Sequence, residues 1–126
     1  IDIHIEVPPV RYHDLSGLGR GEPSAAIRAR VERCRARQRE RFRKTPSVTC
    51  NAAMSARDVQ AHCAPSPDAA ELLRMAMSEL NFSARAYDRI VKVARTIADM
   101  ADADAIDALH ISEAIQYRSL DRLMWV

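Results

Sequence analysis

The sequence predicts a mainly helical fold: a small helical bundle preceded by one N-terminal β-strand and a basic linker helix. Three observations carry that prediction. Residues 80–100 place apolar side chains at three- and four-residue steps behind a capping serine. Alanine is abundant and there are only 3 glycines, which favours helix. Residues 1–7, by contrast, alternate apolar and polar, the period of a half-buried strand.

In that opening segment, IDIHIEV, Ile1, Ile3, Ile5 and Val7 share one face and Asp2, His4 and Glu6 the other. Pro8 and Pro9 end it, because proline cannot donate to a sheet ladder. A lone strand is unstable, so its partner is expected outside this chain or in a very small pairing within it. The first residue is Ile, which also reads as the start of a fragment. Val10 to Gly21 reads as a loop around LSGLGRG; its glycines do not follow the GxxxxGK[ST] pattern of a phosphate loop, and a linker is the simpler reading.

The next helix is expected over 22–44, capped by Ser24, with a thin apolar stripe of Ile27, Val31, Cys34, Gln38 and Phe42. Net charge is only +2, but Arg28 to Lys44 holds nine basic residues against Glu32 and Glu40. Arginine presents a planar, permanently charged fork suited to phosphate, so Arg28, Arg35, Arg39, Arg43 and Lys44 are candidate nucleic-acid contacts. The competing reading is a solvated charged helix, and the scarcity of lysine, Lys44 and Lys92 alone, favours arginine chosen by genome composition.

After a loop over 45–53, a short helix is expected over Met54 to Cys63, capped by Ser55, with Val59 and Cys63 inward. Ser66 then caps a helix with Pro67 in its first position and Asp68 at the positive end of its dipole. Its apolar face is Ala69, Leu72, Leu73, Ala76, Met77 and Leu80. The central helix follows, capped by Ser83, with Phe82 and Tyr87 as a hydrophobic staple. Its inward stripe is Tyr87, Ile90, Val91, Ala94, Ile97, Ala98 and Ala101, and Arg85, Arg89, Lys92 and Arg95 lie off it. Arg85 sits in the first turn, where the dipole disfavours a cation: it is either an ordinary solvated arginine or held there for an anion such as a phosphate. A break at 102–104 leads to a last helix over 108–119, capped by Asp107, with Leu109, Ile111, Ala114, Ile115 and Tyr117 apolar. The tail SLDRLMWV, with the single Trp, reads as a last half-turn or a docking segment.

Several classes are disfavoured. No run of about 18 apolar residues supports a membrane span, and no signal peptide is visible. Cys34, Cys50 and Cys63 are odd in number and lack CxxC spacing, so they read as reduced thiols of a cytoplasmic protein. A zinc site from Cys50, His62 and Cys63 lacks paired spacing. The histidines His4, His13, His62 and His110 suggest no common pocket, and no nucleophile–base pair stands out.

The blocks LSARAYDRIVKVARTIADM and IDALHISEAIQYRSLDR resemble the C-terminal domain of Mg-chelatase-like AAA+ ATPases of the competence-associated type. IDIHIEVPPV resembles the strand after that superfamily's arginine-finger segment, and GEPSAAIRARVERCRARQRERF its linker helix. The resemblance implies a division into residues 1–21, the last strand and loop of an AAA+ core; 22–52, the basic linker helix and loop; and 53–126, the helical lid. It implies that Arg85 is the second sensor, the arginine that reaches the γ-phosphate of ATP, with Arg89 as the weaker candidate. ATP and Mg2+ would serve the full-length protein and neither the fragment alone. The implied partners are the nucleotide-binding core of the same chain, neighbouring subunits of a hexameric ring and DNA, with no membrane. Walker A and B motifs and a first-sensor asparagine are not in this sequence, so the fragment is not expected to hydrolyse ATP. The alternative is a stand-alone nucleic-acid-binding module built on Arg28 to Lys44.

Overall fold

The computed structural model describes residues 1–12, 17 and 21–118. The described residues include five helices: α1 (Ser24–Arg41), α2 (Ala56–His62), α3 (Pro67–Glu79), α4 (Ala84–Met100) and α5 (Ala108–Gln116), with a 3-10 turn at Asn51–Ala53 before α2. The central element is α4. It packs against α1, the 3-10 turn, α2 and α5, while α3 joins the body through α5. Among the described residues no helix is long and apolar enough to cross a membrane.

Local chemistry sets most boundaries. The Ser55 and Asp58 side chains form a reciprocal capping box at α2. Ser66 accepts from the Ala69 amide at α3, with Pro67 in the first position. Ser83 accepts from the Ala86 amide at α4, and Asp107 accepts from Leu109 and His110 at α5. The helix ends use Asn and Asp where glycine is more usual: Asn81 and Asp102 take positive φ, 54° and 55°. Asp102 closes a Schellman turn, in which the Ala103 amide donates to Ala98 O at 2.8 Å and the Asp102 amide to Asp99 O at 3.1 Å.

The core gathers Ile90, Val91, Ala94 and Ala98 of α4, Ala69 and Leu73 of α3, Ile111 and Ala114 of α5, and Ile106, Met54, Cys63, Phe42 and Val48 from the segments between. Phe82 packs partly buried against it.

Residues 1–7 pair with no strand among the described residues, which leaves the expected strand to a partner outside this chain; the only β pairing among the described residues is the isolated bridge of Pro65 with Ile106. Ile1, Ile5 and Val7 stay more than half exposed, and the segment is held by polar bonds instead. Several other expectations are corrected. Helix α1 starts at Ser24, so Ser24 lies inside it; the cap residue is the extended Pro23, whose carbonyl accepts from Ala26 and Ile27. Ile27 and Val31 are exposed, 42% and 40%, because the first half of α1 extends past the body; the buried residues of α1 are Cys34 and Gln38. Tyr87 is 40% exposed and Leu109 79%, so neither belongs to the core; His110 is buried beside Leu109. Arg95, placed off the stripe by its charge, is 4% exposed. Helix α5 ends at Gln116, and most of the glycine loop, His13 and the tail 119–126 lie outside the described residues.

Candidate functional site

At the start of α4 the Ser83 hydroxyl satisfies the third amide of the helix at 3.1 Å. Arg85 follows at the second helical position, exposed and with no ion pair among the described residues. The helix leaves its unpaired amides and positive dipole end at this point. Nothing within the described chain therefore rewards the Arg85 charge.

Arg89, one turn later, is different. Its Nη1 lies 2.6 Å from Asp2 Oδ1. Together these two line a groove of about 540 Å3 between residues 2–5 and helices α4 and α5, with Ile3, Val93, Ile97 and Tyr117 supplying apolar walls. Lys92 pairs with Asp88 at 3.0 Å on the same side of α4.

The basic helix α1 divides its arginines. Arg28, Arg35 and Arg39 lie seven and four residues apart, hence on one face. They are exposed and without ion pairs among the described residues, as are Arg33 and, past the helix end, Lys44. Arg43 lies 3.4 Å from Glu40, both well exposed, and Arg30 pairs with Glu22. Arg35 and Arg39 also border an open cleft of about 800 Å3, floored by Phe42, Val48 and Asn51 and crossed by Met100. Arg37 and Arg41 point the other way, into the body.

That inward side holds a network the sequence reading missed. Asp99 is 1% exposed. It accepts from Arg41 at 2.6 and 2.8 Å and from Asn51 Nδ2 at 2.9 Å, and Arg95 Nη2 lies 3.2 Å away. Arg95 in turn donates to Ala103 O at 2.7 Å and Asp104 O at 2.9 Å, which pins the Schellman turn to α4. Asn51 closes the circuit: its amide donates to Gln38 Oε1 at 2.8 Å and its Nδ2 to Thr96 at 3.0 Å. Arg37 spans Asp104 at 2.7 Å and Asp99 at 3.8 Å. Burial pushes the Asp99 carboxyl up, but the hydrogen bonds from Arg41 and Asn51 and the neighbouring guanidiniums outweigh it and hold it below its ordinary value. The Asp99 hydrogen bond raises Arg41, whereas burial lowers Arg95. The network is structural chemistry: both Asp99 oxygens, Asn51 Oδ1 and Gln38 Oε1 are engaged by donors within it.

The remaining candidates make separate contacts. His62 packs edge-on against Phe42 at 5.5 Å, His110 Nδ1 accepts from the Asp107 amide at 3.0 Å, and the His4 amide donates to Tyr117 O at 2.7 Å. Cys34 and Cys63 are buried free thiols and Cys50 an exposed one. Burial raises Cys34, and pushes Cys63 up to about 11. Among the described residues no three His, Cys, Asp or Glu side chains are grouped as metal ligands, Cys50, His62 and Cys63 included.

The profile of the family described as magnesium chelatase, subunit ChlI C-terminal, matches residues 21–118. The chain is also similar to three longer proteins. The uncharacterized protein YifB of Salmonella typhimurium is 38% identical over 124 residues, 98% of this chain and 24% of that protein. Competence protein ComM of Haemophilus influenzae is 38% identical over 124 residues, 98% of this chain and 23% of that protein. YifB of Escherichia coli is 38% identical over the same share of this chain and 24% of its own length. The chain thus spans about a quarter of the length of these relatives.

Proposed function

The chain belongs to the magnesium chelatase ChlI C-terminal family, and from that premise we propose that it is the helical lid of a longer AAA+ ATPase, with Arg85 as the sensor that contacts the γ-phosphate of ATP. The observation that carries the proposal is Arg85 in the first turn of α4, exposed and without an ion pair among the described residues, at a position the dipole penalises. An anionic ligand beyond the surface of this domain would offset that cost. A guanidinium there stabilises charge on the terminal phosphate and loses its contact when that phosphate leaves. The rigid path from α4 through the Asp99 network to α1 and the 102–106 turn would carry the resulting motion across the domain.

In this reading the phosphate cradle and the Mg2+ ligands belong to the nucleotide-binding core of the same full-length chain, and this domain supplies Arg85, with Arg89 as the second candidate. The lid works within a hexameric ring in the cytoplasm. In the full-length protein, with residues numbered as here, Arg85→Ala is expected to lower ATP hydrolysis by about two orders of magnitude, the size of removing one well-placed charge-stabilising donor. Gel filtration checks that assembly is retained. Unchanged hydrolysis with assembly intact removes the proposal.

A second reading is favoured by one observation: Arg28, Arg35 and Arg39 share an exposed face of α1, with Arg43 and Lys44 exposed beyond it. This face would contact DNA, in keeping with a relative named as a competence protein. Binding of residues 1–126 to duplex DNA should then weaken with salt on a log–log slope of roughly 0.9 per phosphate contacted. A flat response, or no binding at low salt, removes it.

A further inference from the structure

Residues 1–6 cross the side of the bundle and touch both α4 and α5 at defined points. Asp2 Oδ1 meets Arg89 Nη1 at 2.6 Å. The His4 amide donates to Tyr117 O at 2.7 Å. Arg118, buried at 7% exposure, donates from Nη1 to Ile1 O at 3.2 Å. Apolar burial contributes little, since Ile3 and Ile5 remain 46% and 67% exposed while lining the groove. The attachment is therefore mainly polar, and it includes the side-chain ion pair of Asp2 with Arg89.

We propose that Asp2 and Arg89 form a latch that sets the position of α4, and with it Arg85, according to where the segment entering the domain lies. Arg89 is four residues from Arg85, so the two share one side of the helix about 6 Å apart along its axis. A pull on residues 1–6 is delivered one turn from the proposed sensor. Both partners are partly exposed, 52% for Asp2 and 23% for Arg89. A bond of that kind is weak enough to break and remake during a cycle, and contributes little to folding. Asp2 is then a positioning residue: it acts through Arg89 and touches no phosphate. The proposal rests on Arg85 being the sensor.

The test uses the full-length protein with Asp2→Ala, Arg89→Ala, the double variant, the swap Asp2→Arg with Arg89→Asp, and Arg85→Ala as reference. Asp2→Ala and Arg89→Ala should each lower kcat roughly two- to fivefold, the scale of a partly exposed ion pair, with KM for ATP unchanged. The double variant should be no worse than either single one, and the swap should recover most of the activity. Hydrogen exchange of the His4 amide should quicken by a similar factor in both single variants. If Arg89→Ala costs far more than Asp2→Ala and the swap restores nothing, Arg89 contacts phosphate directly and the latch is overturned. If neither variant alters kcat while Arg85→Ala does, the latch fails and the sensor reading stands. Normal hydrolysis by Arg85→Ala overturns the sensor reading itself.

Discussion

Replacing Asp99 by alanine should destabilise the domain by about 3–5 kcal/mol, the cost of breaking a buried charge network by removing one partner. The structure places the effect in that range. Asp99 is 1% exposed and takes two hydrogen bonds from Arg41 and one from Asn51, with Arg95 at 3.2 Å. Its removal leaves two guanidiniums, of which Arg95 is 4% exposed, facing one another without their shared anion. Arg95 keeps its bonds to Ala103 O and Asp104 O, and Arg41 keeps Asn51 Oδ1 at 3.0 Å, which holds the loss below that of a wholly isolated charge. Because a small domain has only about 5–15 kcal/mol of stability in all, the variant should unfold well below the wild-type urea midpoint. Urea titration of residues 1–126 followed by far-ultraviolet circular dichroism measures this. Arg37→Ala is the control: its partner Asp104 is fully exposed and its approach to Asp99 is 3.8 Å, so it should cost under about 1 kcal/mol. An Asp99→Ala cost that is also under about 1 kcal/mol would refute the assignment of the network as the lock between α1, α4 and the 102–106 turn.

Three further outcomes are expected. Asp99 is held below its ordinary value, so its stabilisation is complete above the unfolded carboxylate pKa of about 4 and is lost as pH falls through its lower folded value; the stability gap between wild type and Asp99→Asn should narrow only below about pH 4. With Ellman's reagent at pH 8, Cys50 should react first, while the buried Cys34 and Cys63, the latter pushed up to about 11, should react only as the domain unfolds. Ser83→Ala should cost about 1 kcal/mol in the same urea titration, by orphaning the Ala86 amide at the start of α4.

The elements readable from the sequence are those specified by near neighbours. Ser55, Ser66, Ser83 and Asp107 each cap through bonds within three residues, and Pro67 marks the first position of α3. The inward faces of α3 and α4 repeat at helical spacing, and Ala69, Leu73, Ala76, Ile90, Val91, Ala94 and Ala98 are buried as spaced, whereas Tyr87 and Ala101 at the two ends of the α4 stripe are exposed. What was not readable depends on distant partners. Arg95 lies off the apolar stripe in the sequence and nothing local marks Asp99; only Arg41 and Asn51, 58 and 48 residues away from Asp99, complete the buried network. Arg37 and Arg41 likewise look like their exposed neighbours until the helix docks. The alternation of residues 1–7 is real, but a strand needs a ladder from a partner strand, and within the described residues the segment is tied to the bundle by polar contacts such as the His4 amide to Tyr117 O. Leu109 is exposed where the spacing puts it inward and His110 is buried beside it, with His110 engaged in the Asp107 capping box at the first turn of α5. Arg85 stands out in the sequence for the same reason as in the structure: a cation at the wrong end of a dipole with nothing local to hold it.

The central claim is that Arg85 serves a phosphate. Its most direct measurement is steady-state ATP hydrolysis by the full-length protein, wild type against Arg85→Ala, each confirmed as assembled by gel filtration. Hydrolysis lower by about a hundredfold in an intact assembly is the predicted result. Equal hydrolysis by the two proteins would contradict it, and would leave the exposed arginines of α1 as the functional surface.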